Sequence, residues 1–248
     1  MEEKVVIVTG GTHGIGRACV ETLSTAGYRV VFTGRDLNAG NAIVQQLPSA
    51  IFIQGDVADP LAIENVVNQS LQLGDGKLGG LVNNAGMTLR KPFHRTRLDD
   101  WETIMKINVR SAYLFTRYSI EGLCAARGSV VMMSSVAGKG GEEELSLYCA
   151  SKAAIIGLAK ALALELGNRI RVNTLCPGQI ATRMMDRILE DPIRKDKIKR
   201  SIPAGRLGEA KDIADAVLWL ISEASGFVNG AVIPVDGGET AGIYKSKY

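Results

Sequence analysis

The chain begins with an apolar, β-branched run that leads straight into a glycine-rich turn and then a helix-periodic segment. Few architectures accept that order. Lys4-Val-Val-Ile-Val-Thr9 shows no polar alternation, so as a strand it must be covered on both faces, as in a buried parallel sheet. Gly10-Gly-Thr-His-Gly14-Ile-Gly16 follows at once, then residues 17–26 with helical spacing and Gly27 as a stop. Strand, glycine turn and helix are the setting in which main chain can approach a phosphate. No side chains stand in the way, and the helix N-terminus offers unpaired N–H groups and the positive end of its dipole. On its residues alone the segment also describes an ordinary tight turn before a helix, because its spacing is G-x-x-x-G-x-G rather than G-x-G-x-x-G.

The alternation continues. Strand-like runs at 5–9, 29–33, 50–54, 78–83, 129–134, 171–175 and 231–235 are separated by helical patterns, notably at 61–73, 99–126, 147–166 and 210–222. This predicts a parallel sheet with helices on both faces, with ligands gathered at the carboxyl ends of the strands near the switch in strand order. The 248 residues contain no repeat, composition shift or Pro/Ser-rich linker, so one domain spanning 1–248 is expected. No apolar stretch reaches the ~18 residues of a membrane span, and Met-Glu-Glu-Lys opens the first strand directly. We therefore expect neither membrane association nor a signal peptide, and a cytoplasmic location. Four cysteines (19, 124, 149 and 176) lack metal-ligand spacing, so reduced thiols and no metal site are expected. A net charge of +3 is too small to imply a nucleic-acid partner. The local cluster Arg90, Lys91, His94, Arg95 and Arg97 reads either as a solvated loop or as a contact for an anionic ligand or partner.

Chemistry is suggested by Tyr148 and Lys152, four residues apart within Leu147-Tyr-Cys-Ala-Ser-Lys152. On a helix, residues i and i+4 share a face. A free phenol has a pKa of about 10, and a neighbouring cation favours its ionised form, so the pair is suited to proton transfer. Taken alone, such a pair also occurs by chance on solvated helices.

Taken together, the segments closely resemble the short-chain dehydrogenase/reductase family in its single-domain form, over essentially the whole chain. The motifs occur in the family's order: Thr9-Gly-Gly-Thr-His-Gly-Ile-Gly16, Gly55-Asp56-Val57, Asn83-Asn-Ala-Gly86, Asn108, Ser135, Tyr148-x-x-x-Lys152 and Pro177-Gly-Gln-Ile-Ala-Thr182. The resemblance implies a three-layer, doubly wound Rossmann fold of about seven parallel strands. It also implies an NAD(P)(H)-dependent oxidoreductase that interconverts a ketone and a secondary alcohol. Ser135 and Tyr148 would hold the substrate oxygen, with Tyr148 as general acid. Lys152 would lower the tyrosine pKa and hold the nicotinamide ribose, and Asn108, interrupting the helix 99–126, would bind a water that relays protons to Lys152. Ser135 is preferred over Ser134 because it stands thirteen residues before Tyr148, as in common relatives. The cofactor would be held by Gly10, Thr12, His13, Gly14, Ile15 and Gly16; by Asp56 and Val57 at the adenine; by Asn83, Ala85 and Gly86; and by Pro177, Gly178, Ile180 and Thr182 at the nicotinamide.

Relatives selective for NAD usually carry an acid where Gly34 stands. Here Arg35 follows instead, and a guanidinium suits a 2′-phosphate, so NADP(H) is favoured and NAD(H) stays possible through Asp36. The favoured activity is NADPH-dependent carbonyl reduction of a 3-oxoacyl thioester, sugar or secondary-metabolite ketone. The alternatives are an NAD-dependent alcohol, hydroxysteroid or polyol dehydrogenase and, in a different class, a catalytically silent nucleotide-binding scaffold. Two segments would shape the pocket: 139–146, with its run Glu142-Glu143-Glu144, and a substrate lid at 183–203 with paired methionines. For the glutamates, a solvated loop and a carboxylate facing a cationic or polyhydroxylated substrate both stand. The nearly all-apolar helix 153–166 suggests burial against a second copy, hence a homotetramer or homodimer.

Overall fold

The computed structural model describes residues 4–182, 185 and 190–244. Its elements, in chain order, are β1 (Val5–Thr9), α1 (Gly14–Thr25), β2 (Arg29–Gly34), α2 (Leu37–Gln46), β3 (Ala50–Gln54), α3 (Pro60–Leu73), β4 (Gly80–Asn83), α4 (Leu98–Met105), α5 (Ser111–Ala126), β5 (Ser129–Met133), α6 (Ser146–Leu166), β6 (Arg171–Pro177), α7 (Pro192–Ser201), α8 (Ala210–Ile221) and β7 (Val232–Val235). The seven strands form one sheet in the order β3-β2-β1-β4-β5-β6-β7, and every pair is parallel. The doubly wound α/β architecture expected from the alternation is therefore present. The order reverses between β1 and β4, which opens a crevice at their carboxyl ends.

Each face of the sheet has its own core. Ile7, Val31, Leu81, Val130 and Val172 point toward α3, α5 and α6, whose Val66, Val67, Phe115, Ile155 and Ala159 complete one cluster. Val6, Val8, Val30, Phe32, Val82 and Val131 point the other way, onto Val20 and Leu23 of α1 and Ile213, Val217 and Leu220 of α8. The period-2 alternation of strand side chains distributes them this way, and because both faces are covered the strand sequences read as continuous apolar runs. Each fully buried Val or Leu contributes about 1.5–3 kcal/mol.

Most boundaries fall within a residue of the sequence reading, and the two larger departures in the sheet have local reasons. The strand expected at 78–83 begins at Gly80, since the N–H of Leu78 is taken by the Gly122 carbonyl (3.0 Å) at the end of α5. The sixth strand extends past 175 to Pro177, because Cys176 and Pro177 pair with Pro234 and Val235. The helix 99–126, expected to be interrupted at Asn108, is interrupted there, with α4 and α5 joined through a π-helical turn at Lys106–Arg110.

Helix α6 is long and apolar enough to cross a membrane by length and composition, which the run-based sequence reading did not anticipate. Its Ser151, Lys152, Ile155 and Ala159 are nevertheless buried in the protein core, while Leu164 is 88% exposed on the opposite side.

Candidate active site

The crevice is built first from backbone. Gly10 has φ +66°, in the left-handed region, and a Cβ there would stand 3.0 Å from the Ala85 Cα. A Cβ on Gly16 would lie 2.1 Å from the Gly10 carbonyl oxygen, so α1 can start this close to the turn only without a side chain. Two strand ends are tied together here. The N–H groups of Asn84 and Ala85 donate to the Thr9 hydroxyl (3.0 and 2.9 Å), and the Asn84 amide donates to the carbonyls of Thr9 (2.9 Å) and Gly10 (3.2 Å). Asn84 and Thr9 are thus clamp residues that the sequence reading passed over, and the doubled asparagine after an apolar strand was the available signal. Asn83, which was selected, has its side chain turned inward. Its amide donates to the Thr116 hydroxyl (3.0 Å) and the Met132 sulfur (3.3 Å), so only its backbone borders the crevice.

Beside the glycine turn, at the end of β2, Thr12, His13 and Asp36 form a chain. His13 Nδ1 lies 3.0 Å from the Thr12 hydroxyl, and its Nε2 lies 3.3 Å from an Asp36 carboxylate oxygen. Asp36 also caps α2 by accepting from the Ala39 N–H (3.0 Å). Asp36 is thereby committed to His13 rather than to Arg35, and the exposed Arg35 guanidinium has no ion-pair partner among the described residues. Gly34 has no room for a larger residue, since a Cβ there would stand 2.7 Å from Thr12 Cγ2. Asp56, just past β3, accepts from the Ala58 N–H (2.8 Å), and the adjacent Val57 packs against the core.

The chemical centre lies past β5. Ser135 starts a 3-10 turn (Val136–Gly138) and accepts from the Ala137 N–H at 3.2 Å. Its side chain faces the Tyr148 phenol, where it acts to lower the phenol pKa. Ser134, the competing serine, is buried and donates to the Lys152 carbonyl (2.8 Å), bracing α6 against β5. A Cβ on Gly138 would stand 2.8 Å from the Lys152 carbonyl carbon, so the turn and α6 are in direct backbone contact. Ser135 and Tyr148 are therefore held on two rigidly joined elements.

Lys152 is 4% exposed; its ammonium donates to the Met133 carbonyl (2.9 Å) and lies 5.7 Å from the centre of the Tyr148 ring. Burial lowers its pKa to about 8, with nearby Cys176 acting the other way. The expectation that Lys152 would lower the Tyr148 pKa is corrected by this geometry. Burial of the phenol is the largest effect and raises its pKa; the Ser135 side chain opposes it, while Glu142 and Cys149 raise it further. The phenol is accordingly held protonated, as a proton donor needs to be.

Asn108 sits on the π-helical turn and is buried. Its carbonyl oxygen accepts from the Met87 N–H (2.8 Å), and its amide donates to the Met87 carbonyl and the Ser151 hydroxyl (both 2.9 Å). Both amide protons are used, while Oδ1, with one hydrogen bond, keeps a second lone pair. Gly86 lies between the two polar groups: a Cβ there would stand 3.3 Å from both Asn108 Oδ1 and Lys152 Nζ.

The loop after β6 closes the crevice. Gly178 donates to the Val235 carbonyl (3.1 Å), Ile180 is buried and bridges to Gly208, and the Thr182 methyl would lie 3.4 Å from a Cβ on Gly14. The fold thus brings Pro177, Gly178, Ile180 and Thr182 to the same crevice as the glycine turn. Of the expected lid, residues 183, 184 and 186–189 lie outside the described residues, and α7 forms its latter part with no buried side chain. Among the described residues no cluster of three or more His, Cys, Asp or Glu is arranged for a metal ion.

Comparison with known proteins places this arrangement in context. A family model described as enoyl-(acyl carrier protein) reductase matches residues 10–240. The chain is 38% identical over 245 residues to the 3-oxoacyl-(acyl-carrier-protein) reductase FabG of Aquifex aeolicus, covering 96% of this chain and 98% of that one. It is 32% identical over 243 residues to the meso-2,3-butanediol dehydrogenase of Serratia marcescens, covering 97% and 96%. The crystal structure of gox2181 superposes with a TM-score of 0.92 at 27% identity, covering 98% of this chain and 97% of that one.

Proposed function

This chain belongs to the short-chain dehydrogenase/reductase family, and on that premise we propose that it is an NADPH-dependent carbonyl reductase of one domain, with residues 183–203 as its lid. The observation that carries the reading is the contact of Ser135 with Tyr148 above a buried Lys152, beside the glycine turn. The silent-scaffold alternative loses its basis, because no member of the catalytic set has been lost.

The crevice suits a dinucleotide. Its floor is backbone at Gly10, Gly14 and Gly16, where an added Cβ would meet main chain or the Thr182 side chain, and the N-terminus of α1 faces the space a pyrophosphate would take. Ile15 follows at the start of that helix. The uncommitted Arg35 and the absence of room at Gly34 support NADP(H) over NAD(H). When bound, the nicotinamide supplies the hydride. The protein's part is to hold the substrate oxygen between the Ser135 hydroxyl and the Tyr148 phenol, donors already in place for the charge that grows there. Tyr148 then gives its proton to that oxygen. Lys152, freed from the Met133 carbonyl, would hold the ribose hydroxyls. Pro177, Gly178, Ile180 and Thr182 would border the ring, and Asp56 and Val57 the adenine.

The substrates named for relatives, a 3-oxoacyl thioester and a small diol, bracket the class we favour: a ketone beside a polar group. The exposed apolar side of α6, with Leu164, suits a homotetramer or homodimer, and we place the protein in the cytoplasm. Titration with NADPH and with NADH, followed by nicotinamide fluorescence, tests the cofactor reading. Tighter NADPH binding supports Arg35 as the phosphate reader. A preference for NADH overturns it and redirects the substrate screen toward alcohols.

A further inference from the structure

Helix α7 poses a physical problem, because it buries none of its side chains. Short helices in proteins are held mainly by packing of an apolar face, so this one depends on how its ends are fastened. Its C-terminal end is fastened to the turn that follows β7. Ile202 is buried, and its Cγ2 lies 2.9 Å from where a Cβ on Gly237 would stand. The Ala204 N–H donates to the Gly237 carbonyl (3.0 Å), and Pro203 lies 3.3 Å from the position of a Cβ on Gly238. Gly237 and Gly238 have φ of +63° and +89°, which lets the turn bend beneath these residues without side chains of its own. Asp236 holds that bend by accepting from the N–H groups of Gly238 (2.9 Å) and Thr240 (3.0 Å) and from the Thr240 hydroxyl (2.6 Å).

The same turn carries the loop after β6. The Gly178 N–H donates to the Val235 carbonyl (3.1 Å), and the Gln179 amide donates to one carboxylate oxygen of Glu239 (3.2 Å). The other Glu239 oxygen is buried against Gly178 with no hydrogen-bond partner among the described residues. A buried acceptor left unpaired costs stability, so this carboxylate is a poor brace for a static fold and suits a contact that is remade when the loop shifts. Three residues further on, Thr182 stands against Gly14 of the glycine turn. The loop is pinned to Gly208 at Ile180. A cavity of about 230 Å³ lies between the loop, residues 204–208 and the turn, lined by Gln179, Ala204, Arg206 and Asp236 among others, so these segments have room to shift against one another.

We propose that Glu239 is a positioning residue that couples filling of the crevice to the order of α7, with the turn after β7 as their common base. The 178–182 loop shifts when the crevice fills beside Gly14. Gln179 passes the shift to Glu239, and Gly237 and Gly238 pass it to Ile202 and Pro203 at the end of α7. This goes beyond the reading of the crevice as a dinucleotide site and rests on it.

Hydrogen exchange across residues 192–201 reports the opening of α7 and is compared with and without a saturating nicotinamide cofactor (NADPH, or NADH where the titration prefers it). In the wild-type protein the cofactor should slow exchange there about fivefold or more, the lower range of coupling between sites. Glu239→Gln keeps an acceptor for Gln179 and should retain the effect. Glu239→Leu should still bind the cofactor by nicotinamide fluorescence, yet with α7 exchange slowed less than about twofold. A brace that is only structural would speed exchange in both states and leave their ratio at the wild-type value. That result overturns the coupling, as does a wild-type protein that binds cofactor without slowing in α7. Loss of cofactor binding in Glu239→Leu also overturns it, since Glu239 would then belong to the cofactor site itself. If Glu239→Leu does not fold, Gln179→Leu removes the same hydrogen bond from the other side and decides in its place. The underlying reading fails separately: if neither NADPH nor NADH binds the wild-type protein, the crevice is no dinucleotide site and the coupling falls with it.

Discussion

The two ends of the crevice are made differently. At the end formed by the glycine turn, where we propose the adenine and pyrophosphate bind, the structure excludes side chains: Gly10, Gly16 and Gly34 all lie where a Cβ would meet main chain or Thr12 within about 3 Å, and Thr9 and Asn84 lock the strands with short hydrogen bonds. At the catalytic end, side chains are packed in. Lys152 is buried with its ammonium on one carbonyl, Tyr148 is held protonated by burial, and an ion pair spans two loops. The first end binds by shape and has little to lose in charge. The second stores unfavourable electrostatics where the chemistry is done, and stability is what it gives up.

Four changes would sharpen or break this contrast. The largest effect is expected for Tyr148→Phe, which removes the proton donor but little volume. Ketone reduction should fall about 10²–10⁴-fold while NADPH fluorescence titration stays near wild type; a parallel loss of cofactor binding would mean that the two ends are not separable. Lys152→Met tests the stored cost. A lysine whose folded pKa is lowered to about 8 binds fewer protons than its unfolded counterpart, so the penalty is full below pH 8 and disappears as pH rises toward the unfolded value. The variant should therefore be inactive yet more stable at pH 7 in the cofactor-free form, by about 3 kcal/mol at most, with the gain shrinking through the alkaline range. Denaturant melts at several pH values would show this, and a destabilised variant at pH 7 would contradict it. Gly16→Ala, by contrast, should cost about 1–3 kcal/mol through backbone displacement and weaken both cofactors together. Arg35→Ala should be the mildest, reducing NADPH affinity about tenfold, the scale of one charge-assisted contact, with NADH binding and thermal stability unchanged.

Much of this could be read from the chain, and the failures follow a pattern. Local and repeating signals carried through: the β-branched runs became the seven strands, and Gly10, Gly14 and Gly16 fell at the turn they implied. The interruption of the helix 99–126 at Asn108 came from the family resemblance, and it takes the form of a π-helical turn at Lys106–Arg110 that leaves almost no trace in hydrophobic spacing. Asn83 and Asn84 are adjacent and chemically identical, so only the pleat of β4, which sends one amide inward and the next into the crevice, could tell them apart. The same holds for Ser134 and Ser135, which β5 directs toward the α6 backbone and the phenol respectively.

The sequence by itself determined the alternation of strands and helices, the side-chain-free turn at the start of α1 and the i, i+4 placement of Tyr148 and Lys152, because each depends on periods or conformational limits that span only a few residues. Packing set three things the chain order does not show: Asp36 lies beside His13, Glu142 answers Arg90 from 52 residues away, and burial raises the Tyr148 pKa. Those outcomes rest on through-space electrostatics and desolvation, which depend on what surrounds a group rather than on what precedes it in the chain.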